Sequence, residues 1–189
     1  RWVSPFLDGA KLGAVAPAAL SGLRLALMNV QGKLSTHRST AGATAECAST
    51  VGTVKSLASF HGLDIVVMTE TDHRDGDTHF SDWRLKDFEV FWTIAPKPRT
   101  ANDAVSRKKR GCAIMIRKAW LAGRKARIVS KESGGRGILV AVRLADASEL
   151  LIMGAYAPAS LAGPHHKADA KSLTTWAQLE LRRAAHRKV

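Results

Sequence analysis

Three things are scarce in this chain of 189 residues, and each shortage excludes something. It has only two cysteines, Cys47 and Cys112, which cannot build a disulfide framework or a zinc site by themselves. They lie in stretches that read as helix and strand, so both are expected to be buried free thiols in a reducing compartment. Long apolar runs are missing too: no segment approaches the ~20 uninterrupted apolar residues of a membrane span, and no membrane partner is expected. The opening RWVSPFLDGAKLGAVAPAAL is Ala-rich but carries Asp8 and Lys11 and has no apolar block beside a cleavage site. It makes a poor signal peptide. Its first residue is Arg1, as expected of a piece of something longer.

Acidic side chains are the third shortage. There are 16 Asp and Glu against 29 Lys and Arg, for a net charge of +13 and a pI near 10.4. The imbalance is confined to one half. Residues 1–95 hold 9 basic and 10 acidic side chains, a net of −1, whereas residues 96–189 hold 20 and 6, a net of +14. A basic half of this kind points to a polyanionic partner, of which nucleic acid is the commonest and an anionic lipid surface the next.

The remaining composition, 46% hydrophobic and 24% charged, is that of a soluble globular protein with a sizeable core. Residues 1–22 show little periodicity and read as a loose lead-in. LRLALMNV, Leu23 to Val30, alternates Leu23, Leu25 and Leu27 with Arg24, Ala26 and Met28, which is a strand with one strongly apolar face. Asn29 stands at its tip, where a polar amide is unusual. Cys47, Val51, Val54 and Ala58 then recur at helical spacing, with Thr44 placed to start the helix and Gly62 to stop it.

LDIVVMTET, Leu63 to Thr71, is a short apolar run that suits a strand buried on both faces and ends in Glu70. A carboxylate there sits where open α/β sheets keep their crevice, although a Glu can equally well just end a strand. Strand, helix and strand in this order place Asn29 and Glu70 on one edge if the strands are parallel.

TDHRDGDTHFSD follows, rich in Asp and His but without helix-face spacing, and reads as a solvated, flexible loop rather than a dedicated metal site. FEVFWTI, Phe88 to Ile94, is an aromatic strand. The next loop ends in RKKRG, where Arg107, Lys108, Lys109 and Arg110 form either a solvated hairpin tip or a phosphate-contacting patch. CAIMIRKAW, RIVSKE, GILVAVRL and ELLIMGAYAP are further strands, and their short separations imply antiparallel hairpins. Tyr156 stands just before Pro158 at the end of the last. A small polar loop, LAGPHHKADAK, then leads into a final helix that begins at SLTTW.

Taken together, LRLALMNVQGK, LDIVVMTET, RGCAIMIRK and LLIMGAYAP resemble, in order and spacing, the endonuclease/exonuclease/phosphatase superfamily. Apurinic endonucleases, DNase I-like nucleases and the endonuclease domains of non-LTR retrotransposons belong to it. The resemblance runs from about Leu23 to the final helix. It implies a four-layer α/β sandwich of the DNase I-like type and a metal-dependent endonuclease that hydrolyses DNA phosphodiester bonds.

Carried over residue by residue, the resemblance makes Glu70 the ligand of Mg²⁺ or Mn²⁺, with Asn29 helping to position the ion or the phosphate. Tyr156 would lie against the scissile phosphate. DNA is the implied partner, no small-molecule cofactor is expected, and the setting is intracellular, nuclear for a eukaryotic retroelement. Two family motifs, GDxN and a terminal SDH, do not follow the last helix. Thr71 to His73 and Asn102–Asp103 imitate them only in composition. Residues 23–189 are therefore expected to be a C-terminally truncated domain with an incompletely covered core, inactive as a fragment. The alternatives are a catalytically dead nucleic-acid-binding module of the same fold, or a phosphodiesterase of lipid or inositol phosphates.

Overall fold

A computed structural model of the chain describes residues 22–30, 43–73, 85–94, 110–157 and 164–186. Nearly all of the expected lead-in, Asn102–Asp103, and Arg107, Lys108 and Lys109 lie outside them. The elements are β1 (Leu25–Asn29), α1 (Ala43–Phe60), β2 (Ile65–Thr69), β3 (Phe88–Trp92), β4 (Cys112–Arg117), α2 (Lys118–Leu121), β5 (Ala126–Lys131), β6 (Gly137–Arg143), β7 (Glu149–Ala155) and α3 (Pro164–His186).

They form two sheets, one in the order β1-β2-β4-β3 and one in the order β5-β6-β7. β1 and β2 are parallel, with α1 as their crossover, and Asn29 is in register with Thr69. Every other pairing is antiparallel, as the short turns implied.

Burial sets the layering. Val51, Val54 and Ala58 of α1 pack on Val66, Met68 and Met115, one face of the first sheet. Its other face, Ile65, Val67, Ile114 and Ile116, meets Ile138, Val140, Val142 and Ile152 of the second sheet. Trp176 of α3 reaches the far side of that sheet, where its indole N–H donates to the Ser130 hydroxyl at 3.0 Å. The order α1, sheet, sheet, α3 is the expected four-layer sandwich of the DNase I-like type.

β2 is buried at all five positions, consistent with its continuous apolar run. Helix α1 stops at Gly62 in a Schellman turn, with Leu63 N–H on the Ala58 carbonyl at 2.8 Å and Gly62 N–H on that of Ser59 at 3.2 Å. Ile114 has no exposed surface between the sheets. Replacing it with Ala is expected to cost about 2–5 kcal/mol from lost transfer energy and the cavity left behind. In urea the midpoint should fall while the slope stays unchanged.

The expected incompletely covered core shows at β1: among the described residues its apolar face is open, with Leu25 54% and Leu27 68% exposed. β1 and β7 are edge strands of their sheets, and between them Leu23, Leu25, Leu27, Val67 and Ile152 line an open groove of about 420 Å³. Alternation identifies the apolar face of a strand, not whether another element lies over it.

The last helix begins earlier than expected, at Pro164 rather than Ser172. Proline is pre-organised for a first helical position, and the following Lys and Ala residues are good helix formers despite looking like loop.

Candidate functional site

β2 delivers Glu70 to the edge shared with the tip of β1. Glu70 is 7% exposed and has a left-handed backbone, φ 55°, as does Asp72 at φ 48°. A non-glycine residue held there carries about 1 kcal/mol or more of strain, which the surroundings must overcome. They do so by continuing the β2–β4 ladder past its regular end. Thr71 N–H donates to the Gly111 carbonyl at 3.1 Å and Asp72 N–H to that of Arg110 at 2.8 Å.

This segment corrects the expectation of a solvated, flexible loop after Glu70. Thr71 and Asp72 are fully buried and His73 is 2% exposed, its ring edge-on to Trp92 at 5.4 Å. Main-chain pairing with Arg110–Gly111 and the indole wall draw the three polar residues inward. Residues 74–84, the remainder of the Asp- and His-rich stretch, lie outside the described residues.

Tyr156 arrives from the other sheet, one residue past β7. It is the single tyrosine of the chain. Its N–H donates to the Arg136 carbonyl at 2.9 Å. Its phenol neighbours the Glu70 carboxylate, so residues from both sheets meet at this edge. Burial first, then the hydrogen bond to Glu70 and that residue's charge, push the phenol up to about 12, while Arg136 pulls the other way. Near neutral pH Tyr156 is therefore a proton donor rather than a phenolate.

Asn29, at the tip of β1, lies across the parallel ladder from Thr69, the residue before Glu70. The structure thus gathers Asn29, Glu70 and Tyr156 at one edge. Cys112 lies beneath, its thiol donating to the Arg136 carbonyl at 3.0 Å. Burial pushes it up to about 12, so it is an inert core thiol and not a nucleophile.

The basic run divides. Arg107, Lys108 and Lys109 lie outside the described residues, while the Arg110 guanidinium turns inward to Asp169 at 3.0 Å. Arg136, Glu132 and Asp169 form a linked group behind Tyr156, and no motif or spacing in the sequence singles them out; Asp169 falls in the stretch that reads as a small polar loop.

An α1–sheet–sheet–α3 sandwich of this order is the DNase I-like fold. Among solved structures of that fold, the chain is similar to the AP endonuclease LMAP from Leishmania major, with 13% identity and a TM-score of 0.54. That match covers 86% of this chain and 47% of the other, so the chain spans about half the length of the protein it resembles. TDP2 from Caenorhabditis elegans is more distant, at 10% identity and a TM-score of 0.47, covering 76% of this chain and 40% of that one. No family model matches the sequence, and comparison with curated proteins finds no match.

Proposed function

We propose that this chain is the N-terminal part of a divalent-metal-dependent endonuclease domain that hydrolyses DNA phosphodiester bonds, of the kind carried by retroelement polyproteins. The observation that carries the proposal is the strand edge itself, where the buried, left-handed Glu70 follows the register partner of Asn29 and neighbours Tyr156 of the other sheet. Two further features support it: the net charge of +14 over residues 96–189 and the half-length match to an AP endonuclease.

The donors suit a hard cation. Among the described residues no three His, Cys, Asp or Glu side chains cluster, which disfavours a closed zinc or calcium cage. One carboxylate, with Asn29 at the tip of the adjacent strand, suits Mg²⁺ or Mn²⁺, which keep several waters and take substrate phosphate as a ligand. Glu70 would hold the ion and Asn29 would help fix the ion or the phosphate. When bound, such an ion offsets the charge that develops on the phosphate and the leaving oxygen.

This chain's own residues would do the rest. Glu70, nine-tenths buried, would stand at the strand edge as the ligand of the ion. Tyr156, protonated, would offer its phenol to a phosphate oxygen. The basic half would hold the DNA backbone, with Arg107, Lys108 and Lys109 as proposed phosphate contacts. In this reading the residues that activate water come from the rest of the parent domain.

The test is nicking of supercoiled plasmid in Mg²⁺ by this chain extended along its reading frame. Nicking that EDTA stops supports the proposal. Salt-sensitive DNA binding with no nicking at any Mg²⁺ or Mn²⁺ concentration would instead mark a catalytically dead binding module. Tyr156→Phe should lower the nicking rate by about 100-fold, the usual effect of losing one donor to a developing oxyanion. It should lower stability by about 1.5–3 kcal/mol at most, the worth of a contact to a charged group, so the rates are compared below the melting range of both proteins.

A further inference from the structure

Two limbs meet at the site, one from each sheet, and each is held through the main chain of an arginine. The Arg110 carbonyl accepts from Asp72 N–H at 2.8 Å, and Gly111 beside it accepts from Thr71 N–H, so this pair carries the Glu70 limb. The Arg136 carbonyl accepts from Tyr156 N–H at 2.9 Å and so carries the other limb.

The side chains of these arginines, from different sheets, converge on one oxygen. Asp169 Oδ2 of α3 accepts from Arg110 Nη2 at 3.0 Å and from Arg136 Nη2 at 2.9 Å. The Arg136 side chain is 3% exposed, that of Arg110 16% and that of Asp169 21%. Glu132 braces the same corner, accepting from Arg136 N–H and from the Ser172 hydroxyl of α3, both at 3.0 Å.

We propose that Asp169 is a positioning residue: by holding Arg110 and Arg136 on one carboxylate oxygen, it fixes the Glu70 limb against the Tyr156 limb. Two guanidinium groups brought this close repel each other where water is scarce, and the carboxylate between them turns that repulsion into a tie. Without it the two side chains separate, and the Gly111 N–H bond to the Gly135 carbonyl at 2.9 Å is left to hold the segments that carry Asp72 and Tyr156 together. Asp169 touches neither Glu70 nor Tyr156 in this scheme and acts only through the two arginines.

The relevance to catalysis rests on reading Glu70 and Tyr156 as one site. The clasp itself is tested without any cleavage assay, by amide hydrogen exchange resolved to single residues. In Asp169→Asn the amides of Thr71, Asp72 and Tyr156 should exchange about tenfold faster or more, the scale of a lost charge-assisted bond. Those of Val66 and Met68 in the core ladder should hold their wild-type rates. Asp169→Glu should restore most of the protection.

A second variant separates the clasp from plain loss of stability. Adding Arg110→Gln to Asp169→Asn removes one of the repelling charges. It should recover protection at Tyr156, whereas a residue that is only a structural contact would lose more. Unchanged exchange at the three amides would overturn the proposal. So would a uniform rise across the core, or a double variant less protected than the single one.

Discussion

Glu70→Ala is expected to lower Mg²⁺-dependent nicking by the extended chain by more than about 100-fold, the scale on which removing one electrostatic stabiliser of a transition state is felt. The expectation follows from how Glu70 is held. It is 7% exposed, its backbone is at φ 55°, and its carboxylate neighbours the Tyr156 phenol. A carboxylate kept at such depth, on a left-handed residue, is poorly explained by solvation or turn formation alone.

Stability should respond differently. Removing the side chain loses a hydrogen bond to a charged acceptor, worth about 1.5–3 kcal/mol, but also relieves the desolvation of a buried anion. The two terms oppose each other, and the melting temperature should move by only about 3 °C, or about 1 kcal/mol for a chain of this size. Glu70→Gln is the sharper variant, since its amide oxygen still accepts from Tyr156 while the charge is gone. Both variants should bind DNA at low salt as the wild type does, because the basic half is untouched. Calorimetry with Mn²⁺ should show the heat of binding lost in both. A Glu70→Ala protein that nicks at the wild-type rate would sink the metal assignment.

The strand that carries Glu70 was legible because its signal is local. An apolar run of four residues ending in a carboxylate, preceded by helical spacing and a glycine stop, needs no partner to be read. The antiparallel second sheet was legible for the same reason, through its short turns. What escaped was non-local. Asp169 lies 59 residues from Arg110 and 33 from Arg136, and no spacing in the sequence connects them.

Composition also misled where tertiary pairing overrode it. Thr71, Asp72 and His73 look like a solvated loop, yet the lead-in to β4 supplies the acceptors that let them be buried. At β1 the periodicity identified the Leu25 and Leu27 face correctly. It could not reveal that this face lines an open groove between two sheet edges.

Gly111→Val should be the most damaging single change at the site's foundation, lowering stability by about 3 kcal/mol through strain and overpacking together. Gly111 has φ +92°, a backbone state that a β-branched residue does not adopt without cost. Its surroundings leave no room for a side chain. A Cβ there would run into the Thr71 hydroxyl and would stand 3.1 Å from Asp72 N, and Thr71 is itself fully buried. Neither neighbour can withdraw, because Thr71 N–H is bonded to the Gly111 carbonyl and Asp72 N–H to that of Arg110. On the other side, Gly111 N–H donates to the Gly135 carbonyl at 2.9 Å, so a shift of this residue also pulls on the turn that carries Arg136. The variant should melt about 10 °C below the wild type, at 2–4 °C per kcal/mol for a chain of this length. Gly52→Ala is the matched control. It lies within α1 with nothing within 4 Å of its added Cβ, and should raise stability by about 0.5–1 kcal/mol. If Gly111→Val melts within 2 °C of the wild type while Gly52→Ala behaves as expected, the tight seating of the Glu70 limb on β4 is wrong.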